Sequence, residues 1–320
     1  MPTVSVIIPA YNHSKSVKEA IESVLNQSFA NLEVIIIDDG STDDTRSVIE
    51  QIQDSRIRYY YKDNGGRCTA RNLGLFKAQG QYIAFLDHDD LWPPEYLHTL
   101  INQLEKNRDY GIAYARIIVL RPDGSKRELG SPDRLKSGWL TKDYFYSSPC
   151  ISPSATCFRA SVWEDTFWDE KLQIASEDYD VFLRLSTKTK FLFVPDTYLI
   201  KREQTDIAAR NDRGDDNLIY GALSLARFYF HLGGDKYISK SILKRKISHR
   251  YRKAGRLNEQ LRNRRAAILL FKKAISYYPF DIRLYFDILR AWCQSKKQDK
   301  KPDWQMPEAL PPHITVTRGK

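Results

Sequence analysis

Four short apolar runs in the first ninety residues each end in a polar tail. Val4-Ser5-Val6-Ile7-Ile8 runs into Pro9-Ala10-Tyr11-Asn12, and Glu33-Val34-Ile35-Ile36-Ile37 into Asp38-Asp39-Gly40-Ser41-Thr42-Asp43. Arg56-Ile57-Arg58-Tyr59-Tyr60-Tyr61 runs into Lys62-Asp63-Asn64-Gly65-Gly66, and Tyr82-Ile83-Ala84-Phe85-Leu86 into Asp87-His88-Asp89-Asp90. Between them, Val17, Ile21, Val24 and Leu25, then Thr45 to Ile52, then Thr69 to Ala78, have helical spacing. Strands alternating with helices of this length predict βαβ units and a mostly parallel sheet. Ligands of such sheets sit outside the carboxyl ends of the strands. The tails Pro9–Asn12, Asp38–Asp43 and Asp87–Asp90 are therefore expected on one edge.

Three carboxylates within Asp87-His88-Asp89-Asp90 are costly together, since like charges ~4 Å apart repel by about 4 kcal/mol at an effective dielectric near 20. A divalent cation relieves that cost, and carboxylate oxygens suit Mg²⁺ or Mn²⁺, which in turn hold phosphates. An acidic loop capping a helix before Pro93-Pro94 explains the tetrapeptide equally well. The first strand is not followed by Gly-x-Gly-x-x-Gly, and a Walker-type loop is missing, so phosphates would need a metal and a basic side chain. Arg71, in Arg67-Cys68-Thr69-Ala70-Arg71-Asn72, is the candidate. A solvated place on the third helix would equally suit Arg71, and ordinary packing would suit Tyr11. Asp43 reads as a cap of the second helix. His88 reads as a lining residue, because its carboxylate neighbours point the other way on an extended segment. Asp178 precedes the amphipathic run Tyr179–Leu185, where an acid favours the first helical turn whatever its function.

Taken together, Val4–Asn12, Val34–Asp43, Ala70-Arg71-Asn72, Gly80–Asp90 and Ser176-Glu177-Asp178-Tyr179-Asp180 resemble, in order and spacing, the family 2 glycosyltransferases of GT-A fold. The resemblance covers roughly residues 1–205. It implies an α/β, Rossmann-like, mostly parallel sheet flanked by helices. It also implies transfer of a sugar from a nucleotide diphosphate sugar, usually a UDP-sugar, to an acceptor hydroxyl with inversion. The Gln-x-x-Arg-Trp motif and membrane spans of polysaccharide synthases are missing, so the likeness is to non-processive members. By position, Pro9, Tyr11 and Asp39 match the nucleoside pocket, with Tyr11 on the base and Asp39 accepting from the uracil ring; Asp38 would orient that loop. Arg71 matches the residue that neutralises the diphosphate. Asp87 and Asp89 match the Asp-x-Asp pair, Asp89 as direct metal ligand and Asp87 on ribose or metal. Asp178 matches the general base. His88, Glu177, Lys201 and Arg202 are further candidates for acceptor or diphosphate contact. Many relatives carry Tyr-Arg-x-His after the catalytic helix; here Tyr198-Leu199-Ile200-Lys201-Arg202-Glu203-Gln204 lacks the histidine, which leaves the coordination of the metal open.

At 320 residues the chain exceeds one average domain. No apolar stretch approaches the ~20 residues that span a bilayer, and no signal peptide is expected before the first strand. A cytoplasmic protein is the expectation. Cys68, Cys150, Cys157 and Cys293 lack Cys-x-x-Cys spacing, which favours buried reduced thiols over zinc or disulfides. Residues 1–235 hold 28 basic and 34 acidic side chains, whereas residues 236–301 hold 20 basic and 4 acidic. The expected organisation is a GT-A domain over 1–205, a linker or acceptor-side lid over 206–216, a basic helical appendage over 217–299 and a loose tail over 300–320. Leu218–Leu232, Lys236–Arg256, Arg265–Ile275 and Asp281–Cys293 supply its helices. One tetratricopeptide-like unit is too few for a repeat array. The basic face of 236–301 would lie on anionic lipid at the inner membrane surface, or simply be solvated. No nucleic-acid-binding motif accompanies it. Besides the transferase of a glycan or lipid-linked acceptor, two readings stay open: a sugar nucleotidyltransferase releasing pyrophosphate, and a non-catalytic sugar-nucleotide-binding protein.

Overall fold

The computed structural model describes residues 1–130, 135–146, 149–173, 175–203, 214–294, 299–301 and 303–317. It divides into two compact units. One comprises Met1–Gln173, Leu185–Thr205 and the segment from Val316; the other comprises Ile174–Arg184 and Asp206–Thr315.

The first unit is built on strand β1 (Val4–Ala10), which pairs in parallel with β2 (Leu32–Asp38) and β4 (Tyr82–Phe85). β3 (Ile57–Tyr61) continues the parallel set beside β2. Every residue of β1 and β2 is buried, as befits central strands covered on both faces. Val4, Val6 and Ile8 point into one core, shared with α1 (Ser14–Leu25), α2 (Thr45–Glu50) and α4 (Tyr96–Lys106). Ile7 points to the opposite face, toward α3 (Arg67–Lys77). There a Cβ on Gly74 would fall 2.3 Å from Ile7 Cγ2, so only glycine lets helix and strand approach this closely. Beyond β4 the sheet changes character. β8 (Thr156–Arg159) runs antiparallel to both β4 and β6 (Tyr110–Leu120). β9 (Lys190–Arg202) returns parallel to β6, and the short β5 (Asp90–Leu91) and β7 (Lys126–Glu128) add antiparallel edges. The described sheet thus has nine strands in the order β3-β2-β1-β4-β8-β6-β9-β5, with β7 on β6. Its first half is parallel, as the alternation predicts; the whole is mixed. α5 (Thr141–Tyr146) lies between β7 and β8 in sequence. Thr317 also belongs to this unit: its amide donates to Glu170 Oε2 at 2.8 Å.

The second unit is helical. It contains α6 (Glu177–Leu185) up to Arg184, α7 (Gly214–His231), α8 (Lys240–Gln260), α9 (Arg264–Tyr277) and α10 (Arg283–Trp292). α8 buries Leu243, Ile247, Tyr251 and Ala254, and α9 buries Ala266, Ala267, Leu270, Phe271 and Ala274. The stretch expected as linker or lid, Asp206-Ile207-Ala208-Ala209-Arg210-Asn211-Asp212-Arg213-Gly214, lies almost wholly outside the described residues. Among the described residues no helix is long and apolar enough to cross a membrane. The cysteine expectation needs correction. Cys68 and Cys157 are buried, but Cys150 is only half-buried and Cys293 is exposed, because it follows the last turn of α10, a helix with an open outer face. None of the four forms a disulfide.

Candidate active site

The exits of β1 and β2 are joined by hydrogen bonds. Asp39 N donates to Ala10 O at 2.8 Å, Asn12 N to Ser41 Oγ at 3.0 Å, and Thr42 N to Asn12 Oδ1 at 2.7 Å. Asn12 takes a left-handed φ of 51°, which asparagine tolerates because its side chain bonds locally. Buried Asp38 accepts from Ser41 N at 2.8 Å and from Tyr59 OH at 2.7 Å, and so holds this loop. Asp43 accepts from Thr45 N at 3.0 Å and from Ser14 N at 3.1 Å, serving the starts of both α2 and α1. Slight burial works against its ionisation, but the Thr45 hydroxyl, which donates to Oδ1 at 2.5 Å, and these amides bring its carboxyl down to about 2.

Asp39 is buried too, and its carboxylate is largely engaged. Oδ1 accepts from Lys62 Nζ at 2.5 Å and from Gly65 N at 3.0 Å; Oδ2 accepts from Gly66 N at 2.7 Å. Gly66 has φ +87°, and a Cβ there would meet the Gln173 side chain at 2.0 Å. A carboxylate offers about four acceptor positions, so Asp39 keeps roughly one for a ligand. Tyr11 is 44% exposed at the same rim, which rules out core packing. Pro9 is buried in β1, and its carbonyl lies 3.2 Å from His88 Nδ1.

The third tail leaves β4 where Leu86 N donates to Ile7 O at 3.0 Å. Asp90 N then donates to Asp87 O at 3.0 Å, closing Asp87–Asp90 into a tight turn. Ser154 Oγ accepts from Asp87 N at 3.1 Å. Arg71 is not solvated: it is 1% exposed, its Nη2 donates to Asp87 Oδ1 at 2.8 Å, and its guanidinium lies 4.4 Å from the Trp168 ring centroid. Asn72 fixes that ring through its backbone, donating to Trp168 O at 2.9 Å and accepting from Trp168 N at 2.9 Å. Below lie Phe85, Phe158 and Trp163, so the ion pair rests on an aromatic floor. Burial disfavours an ionised Asp87, yet Arg71 and then Lys201 outweigh it and hold the carboxyl well below its ordinary value. Arg71→Lys keeps the charge but loses the planar stack, so a stability loss of about 1–2 kcal/mol is expected in urea unfolding.

Asp90 is fully buried opposite Lys201 in the β5–β9 register, with 3.8 Å between Oδ2 and Nζ. Burial pushes its carboxyl up to about 7; Lys201 pulls against this, and Asp87 and Asp89 add to it. Of the two basic residues that end this strand, Lys201 thus joins the acidic turn, whereas Arg202 pairs with Glu19 of α1 at 2.7 Å. The His88 ring lies 3.8 Å from that of His13. Burial and then His88 lower the His13 pKa. The resemblance implies a divalent cation here. No set of three or more His, Cys, Asp or Glu is gathered for a metal among the described residues. Asp87 and Asp89, carboxylates of one tight turn, fit instead a hard cation that completes its shell with water and phosphate. They would not make a zinc site.

In the second unit, Glu177 and Asp178 open α6, with Glu177 buried and Asp178 partly exposed. Ser176 just before them has φ +64°, and its Oγ donates to Asn217 O at 2.8 Å. Holding a non-glycine residue left-handed costs about 1–3 kcal/mol. Asp180, two residues on, faces inward: Oδ2 accepts from Arg184 Nε at 2.9 Å and Oδ1 from Arg227 Nη2 at 2.6 Å.

Ser154, Trp168 and Arg227 escape sequence reasoning, and Lys62, Asn72, Asp90, Asp180 and Arg184 appear in it only as members of motifs or runs, without the contacts found here. The one local signal among them is the four-residue spacing of Asp180 and Arg184.

The model of glycosyl transferase family 2 matches residues 5–166, half of the chain. The chain belongs to that family. It is 32% identical over 197 residues to the chondroitin synthase of Pasteurella multocida, across 60% of this chain but 20% of the synthase. Of other curated relatives it covers as little as 15%. The structure of S. aureus TarS residues 1–349 superposes with TM-score 0.63 at 18% identity, over 94% of this chain and 91% of that one. A mannosyltransferase from Pyrobaculum calidifontis, solved with GDP-Man and Mn²⁺, gives TM-score 0.57 at 18% identity over 95% and 87%. The fold is GT-A, an α/β sheet flanked by helices, with a C-terminal helical appendage.

Proposed function

We propose that the chain is an inverting, non-processive glycosyltransferase moving one sugar from a nucleotide diphosphate sugar, a UDP-sugar, to an acceptor hydroxyl of a glycan or lipid-linked acceptor in polysaccharide or glycolipid assembly. The observation that carries this reading is the Asp87–Asp90 turn, held at the sheet rim by Arg71 and Ser154. Support also comes from TarS, solved with UDP-GlcNAc, and from the mannosyltransferase, solved with GDP-Man and Mn²⁺.

Tyr11, exposed at the rim, stacks on the base, and the remaining acceptor position of Asp39 takes an N–H of the uracil, with Pro9 shaping that wall. Asp89 and Asp87 would hold Mn²⁺ or Mg²⁺, which when bound would neutralise charge growing on the diphosphate. Arg71, stacked on Trp168, keeps Asp87 ionised and aimed. Lys201, partly exposed beside Asp90, contacts the departing diphosphate; His88 lines the same turn. Arg202 braces β9 through Glu19. Asp178 takes the proton of the acceptor hydroxyl as its oxygen attacks the anomeric carbon, with Glu177 beside it in the first turn. The domain limits, with 1–205 binding the donor and 206–216 forming an acceptor-side lid, belong to this proposal, as does a cytoplasmic place with 236–301 against the inner membrane surface.

Asp89→Ala tests it. Calorimetric titration of UDP should show Mn²⁺ strengthening binding to the wild type, and that gain should shrink at least about 10-fold in the variant. A metal effect of unchanged size would overturn the assignment. Release of UDP, not pyrophosphate, separates transfer from nucleotidyl chemistry.

A further inference from the structure

α10 wears its apolar side outward. Ile282, Tyr285, Phe286, Leu289 and Trp292 recur at helical spacing and are 68, 44, 64, 58 and 67% exposed; Phe280, just before the helix, is 83% exposed. The inward side carries Leu284, Asp287 and Ala291. Asp287 is held inside by Arg252 at 2.6 Å and by Arg256 and Arg290 at 3.2 Å each. An amphipathic helix ordinarily buries its apolar stripe against the core. This one is anchored to its unit by an ionic knot and offers the stripe to whatever lies outside.

Its surroundings define that partner by charge. Lys244, Arg245, His249 and Lys253 are exposed on α8. Arg245 lies 5.6 Å from the Tyr278 ring, which meets Phe280 edge-on at 5.9 Å, so basic and aromatic groups form one surface. Arg283 closes it from α10: with burial first, then Lys253, Lys246 and Arg252, it lowers the His249 pKa. The four acidic residues of 236–301 do not compensate this field. Glu259, Asp281 and Asp287 are each paired with arginine, and Asp299 accepts from the amides of Arg265 and Lys301. Twenty basic residues therefore leave the segment strongly positive.

We propose that α10 is an interfacial anchor for an anionic bilayer, its apolar stripe entering the boundary between headgroups and acyl chains while the basic side chains of α8 hold lipid phosphates. Tryptophan, phenylalanine and leucine on one side of a helix, with Lys and Arg at its flank, is the composition that lies in a membrane interface. A second copy of the chain fits poorly, since pairing these faces would bring two strongly positive surfaces together. A nucleic acid has the charge but no place for Ile282 and Leu289.

The test uses the full chain with vesicles of phosphatidylcholine alone and of phosphatidylcholine with phosphatidylglycerol. Sedimentation should be at least about 10-fold stronger with phosphatidylglycerol, and Trp292 emission should shift to the blue. Phe286→Ser with Leu289→Ser should weaken binding about 10-fold or more, with the thermal midpoint and UDP titration unchanged. Trp292→Phe should still sediment but lose most of the blue shift. Equal binding to both vesicles, binding abolished by salt with no change in Trp292, or self-association or DNA burying Trp292 without lipid would each overturn the proposal. The UDP titration reads the transferase proposal independently.

Discussion

With Asp178 replaced by asparagine, transfer turnover is expected to fall about 100- to 10,000-fold, while UDP affinity changes little. Asparagine keeps the size and hydrogen-bonding reach of the side chain but cannot take a proton at neutral pH. The group sits in the first turn of α6. A base acts only as the acceptor oxygen attacks, so kcat and kcat/KM should drop together, as for a contact made in the transition state alone. Steady-state release of UDP gives both constants, and calorimetry gives the affinity. A fully active variant would refute the base assignment. A variant that loses UDP affinity in proportion to turnover would make Asp178 a binding residue.

The legible parts of this molecule are those whose signal is local. β1, β2 and β4 read as strands because both faces are covered and the runs are almost wholly apolar, Ser5 and Glu33 excepted. The polar tails announce the rim because side chains that leave a buried strand must be used or solvated. The second half of the sheet was not legible. β5 has two residues and β8 has four, too short for any period, and they pair across long separations. The Asp90–Lys201 proximity exists only through that β5–β9 pairing. Arg71 shows a subtler failure. Its position invites a solvated reading until Trp168, held by Asn72 at a separation of 96 residues, provides a ring to lie on. Ser154 reaches Asp87 over 67 residues for the same reason. Tertiary contact decides which polar residues a helix buries, and the pattern along one helix cannot supply it. α10 makes the point in reverse: its spacing identifies a helix, but only the fold shows that the apolar side faces out.

Arg227 was hidden in the same way, in the mostly apolar second half of α7, and it sets the second large effect. Asp180→Asn is expected to destabilise the protein by about 3–5 kcal/mol. Asp180, Arg184 and Arg227 are 2, 8 and 2% exposed, so the carboxylate balances two guanidiniums that water cannot reach. The amide keeps the shape but removes the charge, leaving both cations buried beside a neutral group. At ~2–4 °C per kcal/mol for a chain of this size, the thermal midpoint should fall by roughly 10 °C. The acid limb offers a second reading. Burial opposes ionisation of Asp180, but Arg184 and Arg227 prevail and lower its pKa below the ordinary 3.8. Because the folded value is depressed, its contribution is fully present above the unfolded pKa and is lost as pH falls through the folded one. Stability of the wild type should therefore decline more steeply below pH 3.8 than that of the variant. Adding Arg227→Leu to Asp180→Asn separates charge from packing: if loss of this carboxylate's charge beside the guanidinium is the cause, the double variant should recover part of the loss. Additive losses would instead show that the contact is held by shape, and that the ion pair contributes little to anchoring the helix that carries Asp178.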